Sequence, residues 1–243
     1  MKAYELIKET FCRHIFILIV HLSWFAVYGL FFIVFEPYNW GFQMFLYIWG
    51  GCLLPLILST GIFGNDIASG RICVLVTKPL WPGELYIYRL TGLSLQGALH
   101  LILAGCGIFI VHIFTGIGNI DNLSLWVLSS WLLFNTWAAM STSLSVVVKR
   151  AYNCMFLAVA IITINILASI LSYSHSGDTV TKVFMALLKY AGPPFEFLSE
   201  LAKGNFSLIK SAACVTHTLM LTVFYGIIGI IILSKRQFIC ERD

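Results

Sequence analysis

Six stretches without a single Asp, Glu, Lys or Arg dominate the sequence: residues 14–35, 37–65, 90–120, 122–148, 151–177 and 211–234. They are 22, 29, 31, 27, 27 and 24 residues long, and no other gap between charges exceeds 6. A helix rising 1.5 Å per residue needs about 20 apolar residues to cross a hydrocarbon core of about 30 Å. Each run therefore holds one crossing, and none holds two. Only 11% of the 243 residues are charged and 59% are hydrophobic, against roughly 25% and 45–50% in ordinary soluble domains. A water-soluble enzyme of this length would lack the polar surface to cover its core. The expected fold is all-α and integral to a membrane, with six transmembrane helices in one domain over residues 1–243.

The first run is too long for a signal peptide, whose apolar region spans about 7–15 residues, and it ends at Phe35-Glu36-Pro37 without a small-residue cleavage site. It is expected to stay in the mature protein. Six spans put both termini on one side of the membrane. Lys2, Lys8 and Arg13, then Arg71, Lys78 and Arg89, then Lys149 and Arg150, then Lys235, Arg236 and Arg242 fall on that side, which makes 11 of the 15 basic residues. The short opposite loops, 36–40 and 116–123, have none. The tendency of basic loops to remain cytoplasmic places both termini in the cytoplasm. The remaining four lysines fall in the long segment 174–210, which is then external.

Several kinds of chemistry have no support in the sequence. The seven cysteines are scattered without paired spacing, so neither a disulfide framework nor a zinc site is expected. No basic, aromatic-rich soluble stretch suits nucleic acid. There is no G-x-S-x-G, no H-E-x-x-H and no acid inside a span, which argues against intramembrane proteolysis and against a proton or sodium relay. His100 and His112 lie about 120° apart around one helix and about 18 Å along it, so they cannot ligate one haem iron. A pair between His112 and His217 across helices stays open, beside the simpler reading of histidines hydrogen-bonded within the bundle. The chain is not expected to be an enzyme and no cofactor or metal is expected in it.

Three segments outside the spans carry the remaining signal. Residues 2–13 separate cleanly on a helical projection. Ala3, Tyr4, Leu6, Ile7, Thr10 and Phe11 share one arc, and Lys2, Glu5, Lys8, Glu9, Cys12 and Arg13 share the other. That pattern predicts an amphipathic helix in the membrane interface with its apolar face toward lipid, or otherwise a solubilising extension of the first span. In 64–89, Asn65 or Asp66 is expected to cap a short helix, Pro79 and Pro82-Gly83 to break the chain, and Glu84 to start the helix leading into the third span. Val74, Leu75 and Val76 form an apolar knob flanked by Arg71 and Lys78. It either docks in a groove on another protein, with Arg71, Lys78 and Glu84 at the rim, or packs on the chain's own helices. In 178–204 the break at Gly192-Pro193-Pro194 separates helical patterns at about 179–191 and 195–203, the second ended by Gly204. Both are apolar and too short to span, which suits a re-entrant hairpin in the outer leaflet or, failing that, a loose external loop.

Taken together, these features resemble the ABC type-2 permease family, the membrane subunits of many bacterial ATP-binding-cassette exporters. The resemblance covers essentially the whole chain: an amphipathic leading helix, six spans, a charged segment between the second and third, and a helical segment before the sixth. Within 64–89 the family's acid, Gly, Leu, Pro and basic residue look like Asp66, Gly70, Leu75, Pro79 and Arg89. Where members often place an arginine after the proline, this chain has Trp81-Pro82.

The resemblance implies a dimer, with a second copy or a homologous permease, in the bacterial cytoplasmic membrane. It also implies a separate ATPase, carrying the ATP and Mg, docked on the coupling segment that includes Asp66, Gly70, Arg71, Leu75, Lys78, Pro79, Glu84 and Arg89. The absence of any G-x-x-x-x-G-K-[ST] loop fits an engine on another polypeptide. Export of a substrate is the expected function. The alternatives are a scaffold relaying ATPase motion to an extracytoplasmic accessory protein, or a subunit exporting haem or a maturation factor.

Overall fold

Charge-free runs of this length become helices because a backbone in hydrocarbon must satisfy its own hydrogen bonds. The computed structural model describes residues 3–13, 15–16, 19–23, 26–27, 41–76, 81–116, 120–148, 152–156, 158–159, 162–163, 192, 195–204 and 207–235. Every regular element among them is helical. We label the helices α1 (Ala3–Cys12), α2 (Gly41–Phe45), α3 (Leu54–Ser59), α4 (Ile62–Ala68), α5 (Arg71–Val76), α6 (Pro82–Thr115), α7 (Leu123–Ser145), α8 (Phe195–Ala202) and α9 (Leu208–Lys235). A π-helical stretch, Leu46–Leu53, joins α2 to α3.

Among the described residues four helices are long and apolar enough to cross a membrane: Gln43–Ala68, Pro82–Thr115, Leu123–Ser145 and Leu208–Lys235. They correspond to the runs 37–65, 90–120, 122–148 and 211–234. The expected spans in 14–35 and 151–177 lie largely outside the described residues, as do Lys78, Pro79, Pro193, Pro194 and the helical pattern at 179–191.

Gln43–Ala68 is not a straight helix, and its irregularities follow from its sequence. Pro55 has no N–H to donate, and just before it the turns widen, so that the Leu54 N–H reaches back to the Trp49 carbonyl. Gly50 and Gly51 sit in the widened stretch between α6 and α7. A Cβ on Gly50 would collide with Leu101, and one on Gly51 would stand 2.8 Å from Leu133. Further along, Gly61 adopts φ 85°, a left-handed conformation that costs glycine little, and separates α3 from α4. The expected cap at Asn65 or Asp66 is therefore not found. Both residues lie inside α4, and the Asp66 carboxylate is taken by two guanidinium groups rather than by a backbone N–H.

α6 begins at Pro82, whose fixed φ suits a first turn, and runs unbroken for 34 residues, about 50 Å. Glu84 does not open the helix. It accepts the Trp81 N–H at 3.3 Å and so caps a start two residues earlier. At its length α6 exceeds the hydrocarbon thickness of about 30 Å.

Polar side chains join the helices laterally. The Tyr86 hydroxyl lies 2.9 Å from Ser143 Oγ and 3.2 Å from the Ala139 carbonyl, and Ser143 Oγ donates to the Tyr225 carbonyl at 2.6 Å. This seam ties α6, α7 and α9 in a region with little water to compete. A second tie pairs Thr136 with Thr222 at 3.1 Å. At the opposite end of α7, Asn122 donates to the Lys203 carbonyl at 3.1 Å and Gln43 to the Asp121 carbonyl at 3.3 Å. Asp121 and Asn122, the end of α8 and the start of the Gln43–Ala68 run thus gather at one end of the bundle, away from α1. α8 forms at the expected place before Gly204 (φ 79°), with Leu198, Leu201 and Ala202 buried beside Trp126 and Trp137 of α7.

Candidate functional site

The end of the bundle holding most of the described basic residues is organised around one side chain, Arg89. It sits in the second turn of α6 and is fully buried. α1 lies across α6 at this level because Gly92 leaves room for it. A Cβ at 92 would stand 2.7 Å from Thr10 Cβ and 2.9 Å from the Ile7 carbonyl oxygen. Leu6 and Thr10, one turn apart, form the buried face of α1, while Tyr4 stays exposed. Part of the face expected to meet lipid is thus seated on protein.

That seating brings the polar arc of α1 to the ends of α4, α5 and α6. One terminal nitrogen of Arg89 donates to Glu9 Oε1 at 3.0 Å and to Thr10 Oγ1 at 2.9 Å, and the other to Asp66 Oδ2 at 2.9 Å. Arg13 completes the Asp66 carboxylate with a 2.6 Å bond to Oδ1, approaches Glu9 at 3.4 Å, and caps the Ile62 carbonyl at 3.2 Å. Arg71, just past the turn at Gly70, reaches the second Glu9 oxygen at 2.7 Å. Three guanidinium groups thus share two carboxylates.

Exposure falls from the rim inward: 45% for the Arg71 side chain, 27% for Glu9, 18% for Arg13, 2% for Asp66 and 0% for Arg89. Only the inner pair is shielded enough from water and salt for its charges to act at close to full strength. Arg89 suits the inner place because a planar fork satisfies acceptors from two directions, which an ammonium does less well. Its Nε has no hydrogen-bond partner among the described residues. The network joins three pieces of chain, α1, the α4–α5 region and α6, through directional bonds.

The residues singled out from sequence separate into groups. Asp66, Arg71 and Arg89 come together in the network. Gly70 is exposed at the α4–α5 turn with φ 68°. Glu84 lies outside the network on the first turn of α6, exposed beside Trp81. Leu75 is buried, 3% exposed, in the same core as Ile72, Leu6 and Phe63. Of the two readings of the apolar knob, packing on the chain's own helices holds at Leu75. Gly192 is buried at a bend. Glu9, Thr10 and Arg13 were not foreseen as site residues. Their local signal was the i, i+4 Glu–Arg spacing, which says nothing about a carboxylate 53 residues away.

Among the described residues no group of three or more His, Cys, Asp or Glu side chains could hold a metal ion. Neither the known protein families nor the curated proteins include a match to this chain.

Proposed function

We propose that the chain is the membrane-embedded permease subunit of an ATP-driven exporter, worked by a separate ATP-binding-cassette ATPase from the basic end of the bundle. The observation that carries this reading is the Arg89 network. A bare bundle would leave the 64–89 segment as a loop, free to move without consequence. Here Asp66 and Arg71 are bonded to α1 and α6, so a push on the α4–α5 turn is delivered directly to the longest helix and to the interfacial one. Ser69, Gly70, Arg71, Trp81 and Glu84 are among the exposed residues of that region and form the contact face for the ATPase.

In this mechanism ATP closes the ATPase pair, the α4–α5 turn is displaced, and α6 with α1 follows as one piece. The outcome is alternation between inward- and outward-facing arrangements. It requires the ATPase to hold the two states with different affinity. The membrane is the bacterial cytoplasmic membrane, with both termini inside, and the functional unit is a dimer. The exposed α9 face of Met220, Val223, Phe224, Ile227 and Ile231 suits lipid or a second copy.

Photocrosslinking tests the reading. A photoreactive phenylalanine analogue at Trp81 in the tagged chain, expressed from its own locus and irradiated in cells, should capture a P-loop ATPase identifiable by mass spectrometry. The same probe at Phe114, at the other end of α6, should not. Capture of no nucleotide-binding protein from position 81 overturns the proposal.

A further inference from the structure

A second polar cluster lies on α6, two turns beyond the charge network. His100 Nδ1 stands 2.7 Å from the Gln96 carbonyl oxygen. That oxygen can only accept, so Nδ1 carries the proton and Nε2 keeps its lone pair. Gln96 precedes His100 by one turn on the same face of the helix, and the two residues are 2% and 0% exposed. His21 of the 14–35 run lies against the His100 ring, with centroids 5.5 Å apart, and Trp49 stacks on His21.

Among the described residues, His100 Nε2 and both polar atoms of the Gln96 amide have no hydrogen-bond partner. Water does not reach them either, since neither residue keeps appreciable surface. An amide and an imidazole nitrogen left unpaired inside a bundle are costly. Methionine at 96 would fill a similar volume without that cost. The polar choice makes sense where another molecule supplies the missing partners.

The unpaired atoms define what they hold. His100 Nε2 and Gln96 Oε1 accept, and Gln96 Nε2 donates. Their complement brings two O–H or N–H donors and one acceptor. It is also uncharged. Runs 14–35, 37–65 and 90–120, which supply His21, Trp49 and His100, contain no Asp, Glu, Lys or Arg, and an ion among them would have no counter-charge. Arg89, the closest charge on α6, is about 10 Å away along the axis and is engaged by Glu9 and Asp66. A hydroxyl donates and accepts through one rotatable atom, so two adjacent hydroxyls complete all three positions.

We propose that Gln96 and His100 form an intramembrane site that receives an uncharged, hydroxyl-rich head group of the polyol or glycosyl class. Both side chains are covered in this arrangement, so the group enters only when the helices part. The alternation of an exporter supplies that opening; to this extent the inference rests on the exporter reading, and it names the class of cargo.

Nitrogen-15 NMR tests it on the full chain, labelled at histidine and held in phosphatidylcholine nanodiscs. Among the six histidines, the signals lost in His100→Asn identify the ring. Octyl β-glucoside should shift the Nε2 signal saturably as its lone pair begins to accept a hydrogen bond. The tetra-O-methyl ether of the same glucoside, which has no donor, should leave it in place. Gln96→Met should weaken the glucoside response by about tenfold, the worth of one buried hydrogen bond. It should also raise the melting temperature of the ligand-free chain, because an unpaired amide is gone; a purely structural glutamine would lower it when removed. No glucoside shift, an equal shift with the ether, or a lower melting temperature for Gln96→Met overturns the inference. If an ATPase is nonetheless captured from position 81, the exporter stands and only the cargo class falls. A glucoside response without that capture sustains the site and counts against the exporter alone.

Discussion

Arg89 donates to Asp66 across 2.9 Å, the two standing 23 positions apart in the sequence with both side chains closed off from solvent. The pair fastens the lower end of the Gln43–Ala68 run to the second turn of α6, and Glu9 and Arg13 fasten α1 to both. A buried ion pair adds little net stability compared with a well-packed apolar pair, but leaving one member alone is expensive. The energetics of this end of the bundle therefore depend on completeness.

Removal of either member should expose that dependence. Arg89→Gln and Asp66→Asn should each destabilise the chain by about 3–5 kcal/mol. The double variant should be less destabilised than the sum, because the second change removes the charge stranded by the first. Thermal unfolding in micelles measures this. Additive losses would mean that the two side chains are not energetically coupled. Arg89→Lys should rescue only partly, since one ammonium cannot serve three acceptors in two directions.

At the rim the same chemistry is worth less. Arg71→Ala breaks a 2.7 Å contact to Glu9 but does so in solvent, so it should cost no more than about 1 kcal/mol. Glu9→Ala should cost more, because it also takes an acceptor from Arg89. If the two variants melt together, the inward gradation of the network is wrong.

Packing glycines should divide sharply. A side chain on Gly229 would run into the Tyr86 ring, whereas a Cβ on Gly226 meets nothing. Gly229→Leu should lose about 1–3 kcal/mol through overpacking, and Gly226→Ala should stay within about 0.5 kcal/mol of the parent. Melting curves of the two variants decide the matter.

The Tyr86 seam predicts a small, specific effect. Tyr86→Phe removes the hydroxyl that links to Ser143 and the Ala139 carbonyl and should cost about 1 kcal/mol. Ser143→Ala should cost a similar amount, and the two together should be less than additive if they report on one tie. Full additivity in the double-variant melt would separate them.

Sidedness can be read by labelling. In a chain freed of its native cysteines, Ser69→Cys should react with a membrane-impermeant maleimide only after the cells are opened, and Asn122→Cys should react on intact spheroplasts. The reverse pattern would invert the orientation drawn from the basic residues.

What the sequence disclosed was set by how local each constraint is. A long charge-free run is a direct requirement of the bilayer, so the helices at 43–68, 82–115, 123–145 and 208–235 were legible. Asp66 and Arg89 were marked as belonging to one important segment, yet as surface for a partner, when each is the other's partner. The helical projection correctly set Glu9 and Arg13 on the polar side of α1, but polar side does not mean water. What they face is decided by where α1 lands, and that depends on the missing side chain at Gly92. Leu75 was ambiguous because an apolar knob looks the same whether its groove belongs to another chain or to its own. His21 and His100, far apart in the sequence, carry no local sign that they meet.

The network also implies an order of manufacture. A ribosome feeding this chain into the membrane delivers Glu9, Arg13 and Asp66 well before Arg89, and until then the two acids have fewer cations to answer them. Newly made chain thus carries an unfinished ionic knot at its leading end, closed only when α6 arrives. Truncation or stalling before residue 89 leaves α1 tied to α4 and α5 through Arg13 and Arg71 but joined to nothing on α6, with Asp66 answered by one guanidinium instead of two.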